Sequence, residues 1–302
     1  MTIGKLFHLI HMTGDVTALE AWYHDVFGVR DFIEHNYMPG EKRDASLVVL
    51  GDCVIEPLAP AFSVDGWDAM PLGRFYKRFG THWHSIAWYT DDATEIWRRC
   101  ADSGIRVYTE GGVPALTQPP ASSAITTHPK DTISQLEFIR LDGSRLAEID
   151  PRLQAGWDPD WWVTSHPLGL KRLAYTTVLT RDLDRAKQLY TGVLGGTLLH
   201  EGASQLTGTA STYVLMGEQT IVELARPTRE DTIAARDHAA NGEIHHAVAF
   251  TVADLDRAED YLTAKGIKVL ERDDRTLITD PATTQGVPFR WTTWVVPGDP
   301  RA

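Results

Sequence analysis

The chain has 302 residues, of which 43% are hydrophobic and 23% charged, and its formal net charge is −12. That length suits about two globular domains, and an acidic chain without a basic run lacks the clustered Lys and Arg that a nucleic-acid partner requires. Cys53 and Cys100 form no disulfide framework or CxxC pair. Met1–Met12 lacks a signal-peptide pattern, and no apolar run nears the roughly 20 residues of a membrane span, so the expectation is a cytoplasmic protein with no membrane partner.

Strand Leu6–Met12 leads into a helix that opens on Asp15 and closes on Gly28. Three strands follow. The last two, Ala45–Leu50 and Cys53–Leu58, are turned by Gly51-Asp52, a strong hairpin signal. A second module begins with strand His84–Tyr89 and a helix from Asp92 to Gly104. It continues with strand Ile105–Thr109, a loop near Pro119-Pro120, and strands around Ala124–Thr127 and Gln135–Arg140. Residues 151–170 break the periodicity. They are rich in Pro and carry Trp157, Trp161 and Trp162, which are costly to leave in water, so this segment reads as a linker that wraps the surface.

The pattern then repeats. Modules three and four cap their helices with Asp182 and Asp254 and close them with Gly195 and Gly266. A shift of 167 residues superposes Asp15 on Asp182, Glu56 on Glu223 and His8 on Tyr175. A shift of 162 superposes His84 on His246 and Asp92 on Asp254. Internal repeats of this kind set the architecture. The expected fold is α+β: four β-α-β-β-β modules forming two cup-shaped mixed or antiparallel sheets with helices outside. The expected domains are residues 1–150, the linker 151–170, and residues 171–302. The sequence leaves open whether modules pair within a half, across halves, or across the two chains of a homodimer.

The helices ALEAWYHDVFG and RAKQLYTGVLGG, the segment GRFYKRFGTHWHSIAWYTDD and the segment HPKDTISQLEF carry a resemblance to the vicinal oxygen chelate superfamily. That superfamily includes glyoxalase I, methylmalonyl-CoA epimerase, extradiol dioxygenases and bleomycin-resistance proteins. The resemblance implies that two modules form a cup with a divalent metal at its floor. Carried over by position, the ligands are His8, Glu56, His84 and Glu137, with Glu148 in RLAEID as a rival for the fourth place. Two imidazoles and two carboxylates suit Fe, Mn, Ni, Co or Zn, and Glu56 or Glu137 is a candidate general base. Trp88 shares the alternation of His84 and Ile86, and by that spacing lines the cup. In the second half the set becomes Tyr175, Glu223 and His246, with Phe289 or Arg290 near the fourth position, which reads as a degenerate site.

The implied function is metal-assisted proton transfer on a small oxygenated substrate: isomerase, epimerase or lyase chemistry. The rivals are Fe(II) ring-cleaving dioxygenation, using His8, His84 and Glu137 alone, and metal-free binding of an antibiotic-like small molecule.

Overall fold

The computed structural model describes residues 3–29, 31–109, 112–115, 124–141 and 145–302; the loop at Pro119-Pro120 lies outside them. The chain divides into two compact units, Met1–Trp157 and Asp158–Ala302. The division falls within the Trp-rich segment. Trp157 packs on a core cluster of the first unit, whereas Trp162 is buried in the second, against His166 and near Tyr261.

The first unit contains β1 (Ile3–Met12), α1 (Val16–Phe27), β2 (Asp31–Met38), β3 (Arg43–Leu50), β4 (Cys53–Pro60), α2 (Pro71–Phe79), β5 (His82–Thr90), α3 (Ala93–Asp102), β6 (Val107–Thr109), β7 (Val113–Pro114), β8 (Ala124–Thr127), α4 (Pro129–Thr132), β9 (Gln135–Arg140) and α5 (Arg145–Ile149). The second contains α6 (Asp160–Thr164), β10 (Leu170–Leu179), α7 (Leu183–Gln188), β11 (Thr197–Ser204), β12 (Thr209–Met216), β13 (Thr220–Pro227), α8 (Ile233–Asn241), β14 (Ile244–Val252), α9 (Leu255–Ala264), β15 (Val269–Arg272), β16 (Thr276–Thr279) and β17 (Phe289–Thr292).

Each unit is one mixed sheet with helices. The strand orders are β2-β3-β4-β1-β5-β9-β8-β6-β7 and β11-β12-β13-β10-β14-β17-β16-β15. The two modules of a unit pair with each other through the antiparallel pairs β1·β5 and β10·β14. Register repeats as well. Ile10 lies opposite Glu56 in the parallel pair β1·β4, and Thr177 opposite Glu223 in β10·β13. The fold is α+β with two mixed sheets, as the fourfold repeat predicts.

Local chemistry starts and ends the helices. The side chains of Asp15, Asp92, Asp182 and Asp254 each accept a backbone N–H three residues on, at 2.8–3.0 Å. The closing glycines Gly28, Gly104, Gly195 and Gly266 all have positive φ, between 63° and 77°, the left-handed conformation that stops a helix without strain. No described helix is long and apolar enough to cross a membrane.

A third device was not read from the sequence. Asp150-Pro151-Arg152 recurs as Asp299-Pro300-Arg301. The Arg152 guanidinium binds Asp150 and donates to the carbonyls of Phe7 and Asp52, each at 2.9 Å. Arg301 binds Asp299 and donates to the carbonyls of Ala174 and Gln219. Ala174 and Gln219 are Phe7 and Asp52 shifted by 167. Each unit therefore ends in an Asp-Pro-Arg clamp that ties its last turn to its first strand and to the β3-β4 or β12-β13 hairpin.

Candidate metal centre

His8 on β1, Glu56 on β4 and Glu137 on β9 meet in the first unit. His8 Nε2 lies 3.2 Å from Glu56 Oε2 and 3.7 Å from Glu137 Oε2. His84 on β5 stands near enough for both carboxylates and His8 to act on it. All four strands come from the middle of the sheet, so His8, Glu56 and His84 are buried and Glu137 nearly so.

The aim of His84 depends on a β-bulge. Leu9 pairs with Ile86 but His11 with Trp83, so two steps along β1 span three along β5. In the second unit Thr177 pairs with Ala247 and Val178 with His245, leaving His246 as the extra residue; its counterpart is His84. A bulge re-aims a side chain and breaks alternation. This decides the position of Trp88. It is fully buried and stacks on Phe138 at 5.8 Å. Phe138 is next to Glu137 on β9 and so faces the other way. The alternation that assigned Trp88 to the cup ignored the bulge, and Trp88 is a core residue. Phe250, the same position in the second unit, stacks on Trp291 at 5.5 Å.

Neither ring nitrogen of His8, nor Nδ1 of His84, has a hydrogen-bond partner. The His84 ring meets the edge of Phe75 on α2 at 4.4 Å. Burial, with Arg43 and His8 close by, pushes its pKa down to about 4 despite the nearby carboxylates. It is therefore neutral at pH 7, the form that binds metals. Burial would raise the Glu137 carboxyl, but the His8 and His84 rings and the Ser85 hydroxyl hold it down to about 2. Its Oε1 accepts from Ser85 at 2.7 Å and Gln135 at 3.1 Å, while Oε2 faces His8. Glu56 gives Oε1 to Arg43 on β3 and turns Oε2 to His8; Arg43 also binds Glu41.

Orphaned imidazole nitrogens beside two ionised carboxylate oxygens fit a divalent cation. Among the described residues no group of three or more His, Cys, Asp or Glu side chains is arranged to hold a metal ion in this structure, and Glu56 is ion-paired with Arg43. Glu148, the rival fourth ligand, is exposed on α5. Neither Arg43 nor Phe75 was singled out in the sequence. The contact of Phe75 depends on α2, a helix that the sequence reading did not resolve.

The same positions in the second unit are engaged differently. Glu223 accepts from Ser211 and Tyr213 on Oε1, and from Thr177 and Arg290 on Oε2, at 2.6–2.9 Å. Four donors use all of its lone-pair sites. His246 Nδ1 is 2.5 Å from Asp237 on α8. Asp237 is the 162-residue counterpart of Phe75. Tyr175 replaces His8 and packs edge-on to Tyr213.

Residues 172–285 match the family model described as "Glyoxalase/Bleomycin resistance protein/Dioxygenase superfamily". The match covers 172–285, within the second unit. The match falls on the unit whose ligand positions are substituted; the first unit shares its topology and register. Among solved structures, a mutant of 4-hydroxymandelate synthase from Streptomyces coelicolor is similar over 98% of this chain and 94% of its own, at 12% identity and a TM-score of 0.65. That likeness is one of fold, and it spans both units. Methylmalonyl-CoA epimerase from Mycobacterium tuberculosis is similar over 41% of this chain and 87% of its own, at 23% identity and a TM-score of 0.38. No curated protein matches the chain significantly.

Proposed function

We propose that the first unit is a metal-dependent enzyme site that moves a proton on a small oxygenated substrate, in isomerase, epimerase or lyase chemistry. The observation that carries this reading is the meeting of the buried His8 imidazole with the Oε2 atoms of Glu56 and Glu137, at 3.2 and 3.7 Å, beside the buried His84 ring. His8, His84, Glu56 and Glu137 would hold a divalent ion such as Fe, Mn, Ni, Co or Zn. The bound ion would act as a Lewis acid on a substrate oxygen and favour loss of the adjacent proton.

The protein groups divide the remaining work. Glu137, held near a pKa of 2, is a weak base and suits the ligand role. Glu56 is anchored at Oε1 by Arg43, and its Oε2, on releasing the ion, would take the proton. Burial excludes bulk water from the exchange. Analysis of the purified protein for stoichiometric metal, and of turnover under anaerobic conditions, tests this reading. A protein that neither binds a divalent metal nor works without oxygen would remove it.

One observation favours a second reading. Arg43 competes with any ion for Glu56. If that pair persists, His8, His84 and Glu137 form a two-histidine, one-carboxylate face, the arrangement of Fe(II) oxygenases. Strict dependence on Fe(II) and oxygen is the signature of this alternative.

A further inference from the structure

The second unit contains a cavity of about 380 Å³ whose lining includes Tyr175, Tyr213, Glu223, Asp273, Arg275 and Trp294, with His200 beside them. That volume is in the range of small-molecule sites. We propose that it binds a planar aromatic acid, with the ring among Tyr213, His200 and Trp294 and the carboxylate on Arg275. This site is separate from the candidate metal centre and does not depend on its chemistry.

The floor selects against cations. Glu223 is neutralised by Arg290, and its four acceptor sites are filled by side chains of the unit itself. The hydroxyls of Thr177, Ser211 and Tyr213 all donate to it, so they offer no donor to a ligand. At the floor, a metal ion or an ammonium group would find no available carboxylate; Asp273, the other acidic residue of the lining, lies at the mouth beside Arg275.

The walls select for a flat ring. Tyr213 and Trp294 are 5.3 Å apart at 64°, Tyr175 and Trp294 6.3 Å apart at 80°, and His200 lies nearly parallel to Tyr213 at 6.0 Å. These faces suit stacked and edge-on aromatic contacts. His200 keeps its place because residue 202 is glycine: a Cβ there would stand 2.9 Å from His200 Nε2.

The mouth supplies the charge. The Arg275 side chain is exposed and makes no hydrogen bond or ion pair among the described residues, while its backbone is fixed on both sides. Its N–H donates to Asp273 at 2.9 Å, and its carbonyl accepts from Thr292 and Thr293. The same bond, with one from Thr276, commits Asp273 Oδ1 to the turn. A guanidinium with an uncommitted fork on a fixed backbone can receive a carboxylate.

Calorimetric titration of the full chain with benzoate, benzamide and benzyltrimethylammonium tests the assignment. Benzoate is expected to bind with a Kd near or below about 1 mM and benzyltrimethylammonium not to bind. Arg275→Gln should weaken benzoate by about tenfold or more, the size of a lost charged hydrogen bond, and leave benzamide within about twofold. Trp294→Ala should weaken both benzoate and benzamide. Arg275 is exposed, so its variant reports even if the Trp294 variant fails to fold. His8→Ala should change nothing. Benzoate binding that is absent, insensitive to Arg275→Gln, or lost in His8→Ala would overturn the proposal, as would tighter binding of the ammonium probe.

Discussion

Glu137 and Arg290 occupy the same place in their sheets. Glu137 pairs with Ala87 across β5·β9, and Arg290 pairs with Ala249 across β14·β17; Ala249 is Ala87 shifted by 162 residues. One unit thus places a carboxylate where the other places a guanidinium. In the second unit Arg290 reaches Glu223 at 2.7 Å, so a covalently attached cation stands against the carboxylate that the first unit leaves facing His8.

Metal binding is expected to follow this difference. His8→Ala or His84→Ala should abolish stoichiometric divalent metal in the purified protein, and Tyr175→Phe should leave it unchanged. Elemental analysis of the three variants decides the point. Retention of one metal per chain in both histidine variants would show that the ion is elsewhere.

Replacing the proposed base should separate binding from turnover. Glu56→Gln should keep much of the metal, since an amide oxygen still coordinates, and should slow solvent deuterium exchange at the substrate C–H by about 10²–10⁴-fold. Wild-type exchange rates in Glu56→Gln, with slow exchange in Glu137→Gln, would transfer the proton to Glu137.

The Glu223–Arg290 pair is buried on both sides. Arg290→Ala strands a carboxylate and should cost about 3–5 kcal/mol, whereas Glu223→Gln combined with Arg290→Met should be much milder than the single change. Urea unfolding of the three proteins gives the comparison. Equal losses in the single and double variants would mean that the stability comes from packing alone.

The Asp150 carboxyl is buried, which raises its pKa, but Arg152 and the Tyr89 hydroxyl outweigh this and hold it below the usual carboxylate range. A depressed folded value stabilises the protein above the unfolded pKa of about 3.9, and that contribution is lost as pH falls through the folded value. Asp150→Asn should therefore destabilise the chain at pH 7 by about 3–5 kcal/mol, and the gap to wild type should narrow below about pH 4. A gap independent of pH would indicate a steric effect.

Sequence alone determined whatever is local or repeated. The Asp and Gly caps act within three or four residues, so each helix end is legible where it occurs. The offsets of 167 and 162 residues carried the modular plan. They also paired His8 with Tyr175 and Glu56 with Glu223 without any coordinates. Nothing local marks Arg43 as the partner of Glu56, Phe75 as the neighbour of His84, or Asp237 as the partner of His246, because each pair forms only when strands and connecting helices pack. The Asp-Pro-Arg repeat was visible, but its role depends on carbonyls that lie 100 and 145 residues away from Arg152. Trp88 shows the limit most directly. Strand alternation is a local rule, and the extra residue on β5 that breaks it becomes apparent only when β5 is laid against β1.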